Sequence, residues 1–573
     1  MRTFTIIRVK HSYIISKIMI RKALFSLLAT LPALHSCQEN HEVEIAVCCI
    51  NDYHACFVAD EDRSIYGVGS LIHTLDSIKS VYPHHIILSG GDNSGGSYFY
   101  KVTNGVTMPT FWEESGIKIS VVGNHEFDEG QHKLSQKWSE QTADKQPCDL
   151  TYIAANIRDS LGNIPHFIQP YCIKEVKISD SKSVRMSFIG LTTAMTPQQT
   201  SLRHVKGLYF DAESKNVIDS LMQSAEYKAL RPTIDATFVV GHLGAGRKNG
   251  VPTWEDISAD QLALLDTSMI DGFFAAHTHD TLSGYINNSR LPIVQGGCYG
   301  SYIGILKVKY DTLRNEVTKV IPELCNVRPF INTTSSTQMQ VDSLLENTYV
   351  SGRPLNEVLC TIEADMPNNR AQRFVFSEVA DIVCASYADA FTQHTTENIP
   401  IIGMSHFWSI RSSLYKGKLT VLEAGEILPF ANHLRAYKYT GKQLKELLTF
   451  GLHNKKFGWL QSNALTFECD SKENLNVTKV WYNAPSGVTS EIRNHDQCII
   501  VVDDYMVTGG DGYLPVFFPA QQEIHTQLPN TTTAFFNYLK AKGSFDSHPE
   551  KMKKLIINGD AYSELNVIGN SVL

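Results

Sequence analysis

Five short apolar runs, each breaking off into a cluster of Gly, Asp, Asn and His, constrain this chain more than any other feature. Glu44–Ile50 runs into Asn51-Asp52-Tyr53-His54, and His85–Leu88 into Ser89-Gly90-Gly91-Asp92-Asn93. Ile117–Val122 runs into Gly123-Asn124-His125-Glu126-Phe127-Asp128, Ala236–Val240 into Gly241-His242, and Asp271–Ala276 into His277-Thr278-His279. Apolar runs of this length between glycine and polar clusters read as buried strands. Amphipathic stretches between them, such as Val68–Ile78, read as helices, so this part of the chain reads as an α/β domain of layered helices and sheet. Open sheets of that kind bind ligands at the carboxyl ends of their strands. Here those ends carry Asp52, His54, Asp92, Asn124, His242, His277 and His279.

These are oxygen and imidazole donors without a thiolate, a set that suits Zn, Mn or Fe(II) and not a Cys-rich structural zinc site. One carboxylate able to bridge, with six further ligands, makes two sites, and paired cations about 3.5–4 Å apart serve phosphoryl transfer. Taken singly, Asp-x-His, His-x-His or Gly-Gly-Asp-Asn is more often a turn or a pair of same-face side chains. The five in this order, each after an apolar run, are far more specific. His125 adjoins a candidate ligand and could reach a phosphate oxygen, while Asp128 could fix the tautomer of its ring and raise its basicity.

With 573 residues the chain is long enough for at least two domains. A formal net charge of −8 provides no basic field for a nucleic-acid polymer. Small phosphate esters need only local positive charge. The 12 cysteines contain no Cys-x-x-Cys pair, which argues against a zinc ribbon. Cys48, Cys49, Cys172, Cys384 and Cys498 stand in apolar runs and read as buried thiols. From Met19 onward, Arg21-Lys22, the run Ala23–Leu34 and then Leu34-His35-Ser36-Cys37 read as an export leader, too short to span a bilayer. The end of that leader resembles a bacterial lipoprotein box, which implies a lipid on Cys37 and a polar tether from Gln38. The expectation is an exported, periplasmic or cell-surface bacterial protein that touches membrane only through that lipid.

The succession Asp-x-His, Gly-Asp, Gly-Asn-His-Glu-Phe-Asp, Gly-His and His-x-His resembles the calcineurin-like metallophosphoesterases, and within them the 5′-nucleotidase/UDP-sugar hydrolase family. The resemblance implies a four-layer α-β-β-α catalytic domain over 41–325, a linker helix within 326–356, and an α+β substrate-binding domain over 357–573. It implies a first divalent metal on Asp52, His54 and His279, a second on Asn124, His242 and His277, and Asp92 bridging them. His125 and Asp128 would form the catalytic dyad. In the second domain Ser409-Ile410-Arg411, Leu428-Pro429-Phe430 and the loop Asp504–Tyr513 resemble the family's substrate-binding segments. By that likeness Phe430 and Tyr505 would sandwich a base, Arg411 and Arg373 would meet ribose-side oxygens or a carboxylate network, and Asp511 would bind ribose hydroxyls. One stretch departs: His406-Phe407-Trp408 stand where the family has asparagine and glycines, so the nucleoside pocket is narrowed or rebuilt. The activity implied is metal-dependent hydrolysis of 5′-nucleotides, and of UDP-sugars or other nucleotide esters, by a metal-activated water. A 2′,3′-cyclic nucleotide phosphodiesterase with 3′-nucleotidase activity, and a surface nucleotide-binding protein without turnover, are the alternatives.

Overall fold

The computed structural model describes residues 41–561, apart from 137–149, eight positions within 257–267, and 289–290, 331–333, 369–372 and 558–559. The leader and Cys37 therefore lie outside the described residues. The apolar runs do form strands. Glu42–Ile50, His85–Ser89, Ile119–Val121 and Thr151–Ile153 lie side by side in parallel, and the hairpin Tyr302–Asp311/Glu316–Asn326 extends this sheet antiparallel from Glu42–Ile50. A second sheet has Ser183–Thr192, Ala236–His242, Gly272–Phe274 and Pro292–Gly296 in parallel, with Tyr171–Lys177 and Thr281–Tyr285 antiparallel at its edges.

Alternation of side chains along the strands builds the layers. Ile45, Val47 and Cys49 face the second sheet and pack with Phe188, Phe238 and Phe274. Ala46, Cys48 and Ile50 face the other way, onto the core that holds Leu71 and Leu75 of helix Gly67–Val81 and Phe111 and Trp112 of helix Met108–Ser115. Helices Ser214–Gln223 and Ala225–Leu230 cover the far face of the second sheet with Val217, Ile218 and Tyr227. The result is the four-layer α-β-β-α arrangement.

The later half holds two five-stranded sheets and a three-stranded one. Helix Glu378–Thr392 starts at Ser377, whose hydroxyl accepts from the Ala380 N–H. Helix Gly441–Leu452 starts in a capping box of Thr440 and Gln443. The halves share one core: Val421, Ala424 and Ile427 pack in the same cluster as Ala46 and Phe99. Helix Ser336–Asn347 stands between them in the chain. Cys48, Cys49, Cys384 and Cys498 are buried, whereas Cys172 is half-buried because its strand, Tyr171–Lys177, is a sheet edge. No helix among the described residues is long and apolar enough to cross a membrane.

Gly190 sets how closely the sheets meet. A Cβ there would lie 2.5 Å from the backbone carbonyl of Ile153, which cannot yield as a flexible side chain would. Gly190→Ala is expected to cost about 1–3 kcal/mol, read as a lower urea midpoint with unchanged slope. A variant as stable as wild type would show that the two backbones can part without penalty.

Candidate metal centre and substrate cleft

All seven candidate ligands converge at the carboxyl ends of the two sheets. Ligand atoms of Asp52, His54 and His279 lie within 4.8 Å of one another, and so do those of Asp92, His242 and His277. Asn124 joins the second group, its Oδ1 3.3 Å from His242 Nε2. Asp92 belongs to both neighbourhoods, since it also clusters with His54 and His125.

The local backbone is unusual. Asp52, His54, Asp92, His277 and His279 all have φ between 49° and 76°, a region that costs residues other than glycine about 1–3 kcal/mol each. Neighbouring bonds hold these residues in place. The Asp52 carboxylate accepts from Asn51 Nδ2 at 2.7 Å and from the His277 N–H at 2.9 Å. Asp92 Oδ1 accepts from the His125 N–H at 2.9 Å. Gly123 permits this contact, because a Cβ there would stand 2.2 Å from Asp92 Oδ1.

Two residues outside the sequence expectations organise the site. Glu126, fully buried, accepts from the N–H groups of Asp92 at 2.8 Å, Asn93 at 2.8 Å and Gly123 at 2.7 Å. Burial and the Asp92 charge push its carboxyl up to about 7. The side-chain amide of Gln199 lies 2.9 Å from His277 Nε2. Glu126 sits inside the Gly-Asn-His-Glu-Phe-Asp motif and was open to detection there; Gln199 carries no sequence signal.

The donor chemistry fits divalent cations. His54 Nδ1 donates to the Gly95 carbonyl at 3.0 Å and His242 Nδ1 to the Gly90 carbonyl at 2.8 Å, so both rings turn Nε2 inward. His54 Nε2 then stands 3.1 Å from His279 Nε2, a distance at which two lone pairs repel unless a cation or proton lies between. Burial holds His54 and His279 well below the usual imidazole value and His277 at about 4, leaving neutral rings able to bind metal. Asp52 is pushed up to about 7 by burial. Burial works against a charge on His242 too, yet Asp92, 3.1 Å away, raises it to about 10. A proton on His242 thus balances a buried carboxylate, a task suited to a metal cation.

Beside this centre His125 Nδ1 lies 2.7 Å from Asp128 Oδ2. Burial opposes a charged His125, but Asp128 and Asp92 outweigh it and raise its pKa. Both residues line a cavity of about 960 Å³, whose far wall comes from the later half of the chain and includes Arg373, Arg411, Phe430, Tyr505 and Asp511. The Phe430 ring is parallel to His125 with centroids 5.8 Å apart, and the Arg411 guanidinium lies 5.8 Å over Phe430. Asp511 Oδ2 lies 2.7 Å from His406 Nδ1, and Asp511 Oδ1 accepts from the Tyr505 hydroxyl at 3.1 Å.

Residues 45–281 match the family model described as calcineurin-like phosphoesterase, and residues 358–518 match the 5′-nucleotidase C-terminal domain. Among curated relatives, a cell wall protein of Listeria monocytogenes is 22% identical, covering 87% of this chain and 67% of its own length. A 5′-nucleotidase of Bos taurus is also 22% identical, over 79% of each chain. Two longer Bacillus subtilis relatives are spanned over only 32% and 30% of their length. The crystal structure of a 5′-nucleotidase precursor from Thermus thermophilus has the same fold, with TM-score 0.69, 18% identity and coverage of 90% of this chain and 100% of that one.

Adding Mn²⁺ or Zn²⁺ to chelator-stripped protein is expected to raise Tm by several degrees, since a ligand of the folded state at 100 times Kd adds about 2.7 kcal/mol. Asp92→Asn should shrink that gain and lower the metal content measured by atomic emission. Full metal content in the variant would remove Asp92 from the ligand set.

Proposed function

The chain belongs to the calcineurin-like phosphoesterases that carry a 5′-nucleotidase C-terminal domain, and from that premise we propose that it hydrolyses 5′-nucleotides, with UDP-sugars or other nucleotide esters as further substrates. Calcineurin-like phosphoesterases use divalent metals, and the donor set described above fits two. One observation carries the reading: the clusters Asp52/His54/His279 and Asp92/His242/His277 adjoin where Asp92 also groups with His54 and His125, beside the His125–Asp128 pair and at the floor of a cleft closed by aromatic and cationic residues of the other half. Bound cations would supply an ionised water and draw charge from phosphate oxygens.

The chain's own residues supply the rest. Asp128 orients the His125 ring through Nδ1 and favours its charged form, in which an Nε2–H can meet a phosphate oxygen as charge develops or protonate the leaving oxygen. Arg411 adds positive charge on the substrate side of the first ligand cluster. Phe430 offers an apolar face against which a base can stack. Export and a lipid on Cys37 are part of the proposal, supported by the leader sequence. Palmitate should label the wild type and not Cys37→Ala; equal labelling would discard the anchor.

The activity is tested by phosphate release from AMP, UMP, UDP-glucose, 2′,3′-cyclic AMP and p-nitrophenyl phosphate, with Mn²⁺, Zn²⁺ or EDTA. The expected result is metal-dependent turnover favouring the 5′-monophosphates. His125→Ala should lower kcat by about 10²–10⁴-fold, with metal content retained. Turnover of the cyclic nucleotide alone would favour the phosphodiesterase alternative, and no metal-dependent turnover would favour the binding protein.

A further inference from the structure

The stretch where the sequence departs from its family forms a defined device at the far end of the cleft. Strand Ile401–Ser405 delivers His406 to the cavity wall, and the chain then turns through the short 3-10 helix Phe407–Ser409. The turn is anchored on both sides of the ring. Phe407 is buried beneath it, and the Ser405 and Ser409 hydroxyls bond to each other at 2.6 Å. His406 Nδ1 lies 2.7 Å from Asp511 Oδ2, and the Tyr505 hydroxyl donates to Asp511 Oδ1 at 3.1 Å. The His406 and Tyr505 rings sit 4.9 Å apart at 34°. Each carboxylate oxygen of Asp511 thus already accepts one bond from within the protein, and with the residue only 4% exposed its remaining lone pairs have little access to the cleft. Meanwhile His406 Nε2 and Asp503 Oδ2, on residues 5% and 0% exposed, have no hydrogen-bond partner and stand 3.9 Å apart.

Binding a ribose by its vicinal hydroxyls needs an acceptor with open lone pairs, and that need is what separates ribose from 2′-deoxyribose. We infer that His406 is a specificity-determining residue: by bonding Asp511 beside the tilted Tyr505 ring it withdraws that carboxylate from the sugar, so that the site takes 2′-deoxynucleotides as readily as ribonucleotides. The nearby Asp511 and Asp503 charges, outweighing burial, raise the His406 pKa and so favour the form with a proton on both nitrogens.

The inference rests on the nucleotide reading above, and two measurements separate their fates. The first is kcat/KM for AMP and dAMP on wild type, His406→Ala and His406→Asn. Because the ratio is taken within each variant, any loss of folding or metal common to both substrates cancels. Wild type is expected to show a ratio within about threefold, and His406→Ala to raise it to about tenfold or more in favour of AMP through the KM of AMP, since Asp511 is then free to accept from both hydroxyls. A wild-type preference for AMP of tenfold, or a ratio unmoved by both substitutions, would overturn the inference. The second measurement is calorimetric binding of adenosine and 2′-deoxyadenosine to the full chain, which needs no turnover. If p-nitrophenyl phosphate is cleaved and neither nucleotide is, the nucleotide reading fails and this binding decides the inference alone: equal affinities sustain it, while a tenfold preference for adenosine or no binding of either refutes it.

Discussion

The Glu126 carboxylate is the bond on which the catalytic half depends. It accepts three backbone N–H groups from Asp92, Asn93 and Gly123, which lie just beyond the carboxyl ends of two adjacent parallel strands. Those two ends carry Asp92 and Asn124, so one side chain sets the separation between candidate ligands that the chain places more than thirty residues apart. The arrangement has a cost, because Glu126 and Asp92 are like charges in a dry interior and each raises the burden of ionising the other. Divalent cations held among the imidazoles would offset that repulsion, which would couple the integrity of the loop frame to occupancy of the centre.

The same coupling accounts for the strained backbone. Five of the seven candidate ligands sit in the left-handed region, and a chain free to relax would not hold them there. They persist because the strands that feed them are buried between packed layers and because Asp52 and Asp92 accept bonds from the backbone beyond other strand ends. Gly91 and Gly123 matter for close approach as well as conformation: a Cβ at Gly91 would stand 2.8 Å from His242 Nδ1, closing the space the ring occupies. Stability of the layers is thus converted into precise donor placement at their rim.

Much of this was legible in the sequence, for a physical reason. Each candidate ligand lies at or shortly beyond the end of a buried strand, so the signal that places the strand also places the donor. His242 ends its strand where the sequence suggested it would follow one, a boundary set by pairing to Thr192 on the neighbouring strand. What could not be read were contacts between distant segments. Gln199 reaches His277 across 78 positions, and His406 reaches Asp511 across 105, and neither spacing leaves a periodic trace. Cys172 read as buried because its run is apolar, yet exposure at a sheet edge is a property of topology.

That difference divides chemistry from recognition. The candidate ligands and the His125–Asp128 pair come from loops of the first half, each short and locally determined. The cleft wall comes from scattered residues of the second half, brought in by a few docking contacts: Glu426 accepts from Ser97 Oγ and the Phe99 N–H at 3.1 Å each, Gly425 leaves room for the Tyr98 ring, and Tyr505 reaches the Gln198 carbonyl. The Glu426 carboxylate meets the start of helix Tyr98–Val102, where unpaired N–H groups favour an anion. These contacts set Phe430 over His125, so a substitution that alters the wall leaves the ligands and the dyad untouched. On the proposed reading a single histidine redirects what the cleft accepts, because the residues proposed to choose the substrate and those proposed to cleave it belong to different parts of the chain and meet across this junction.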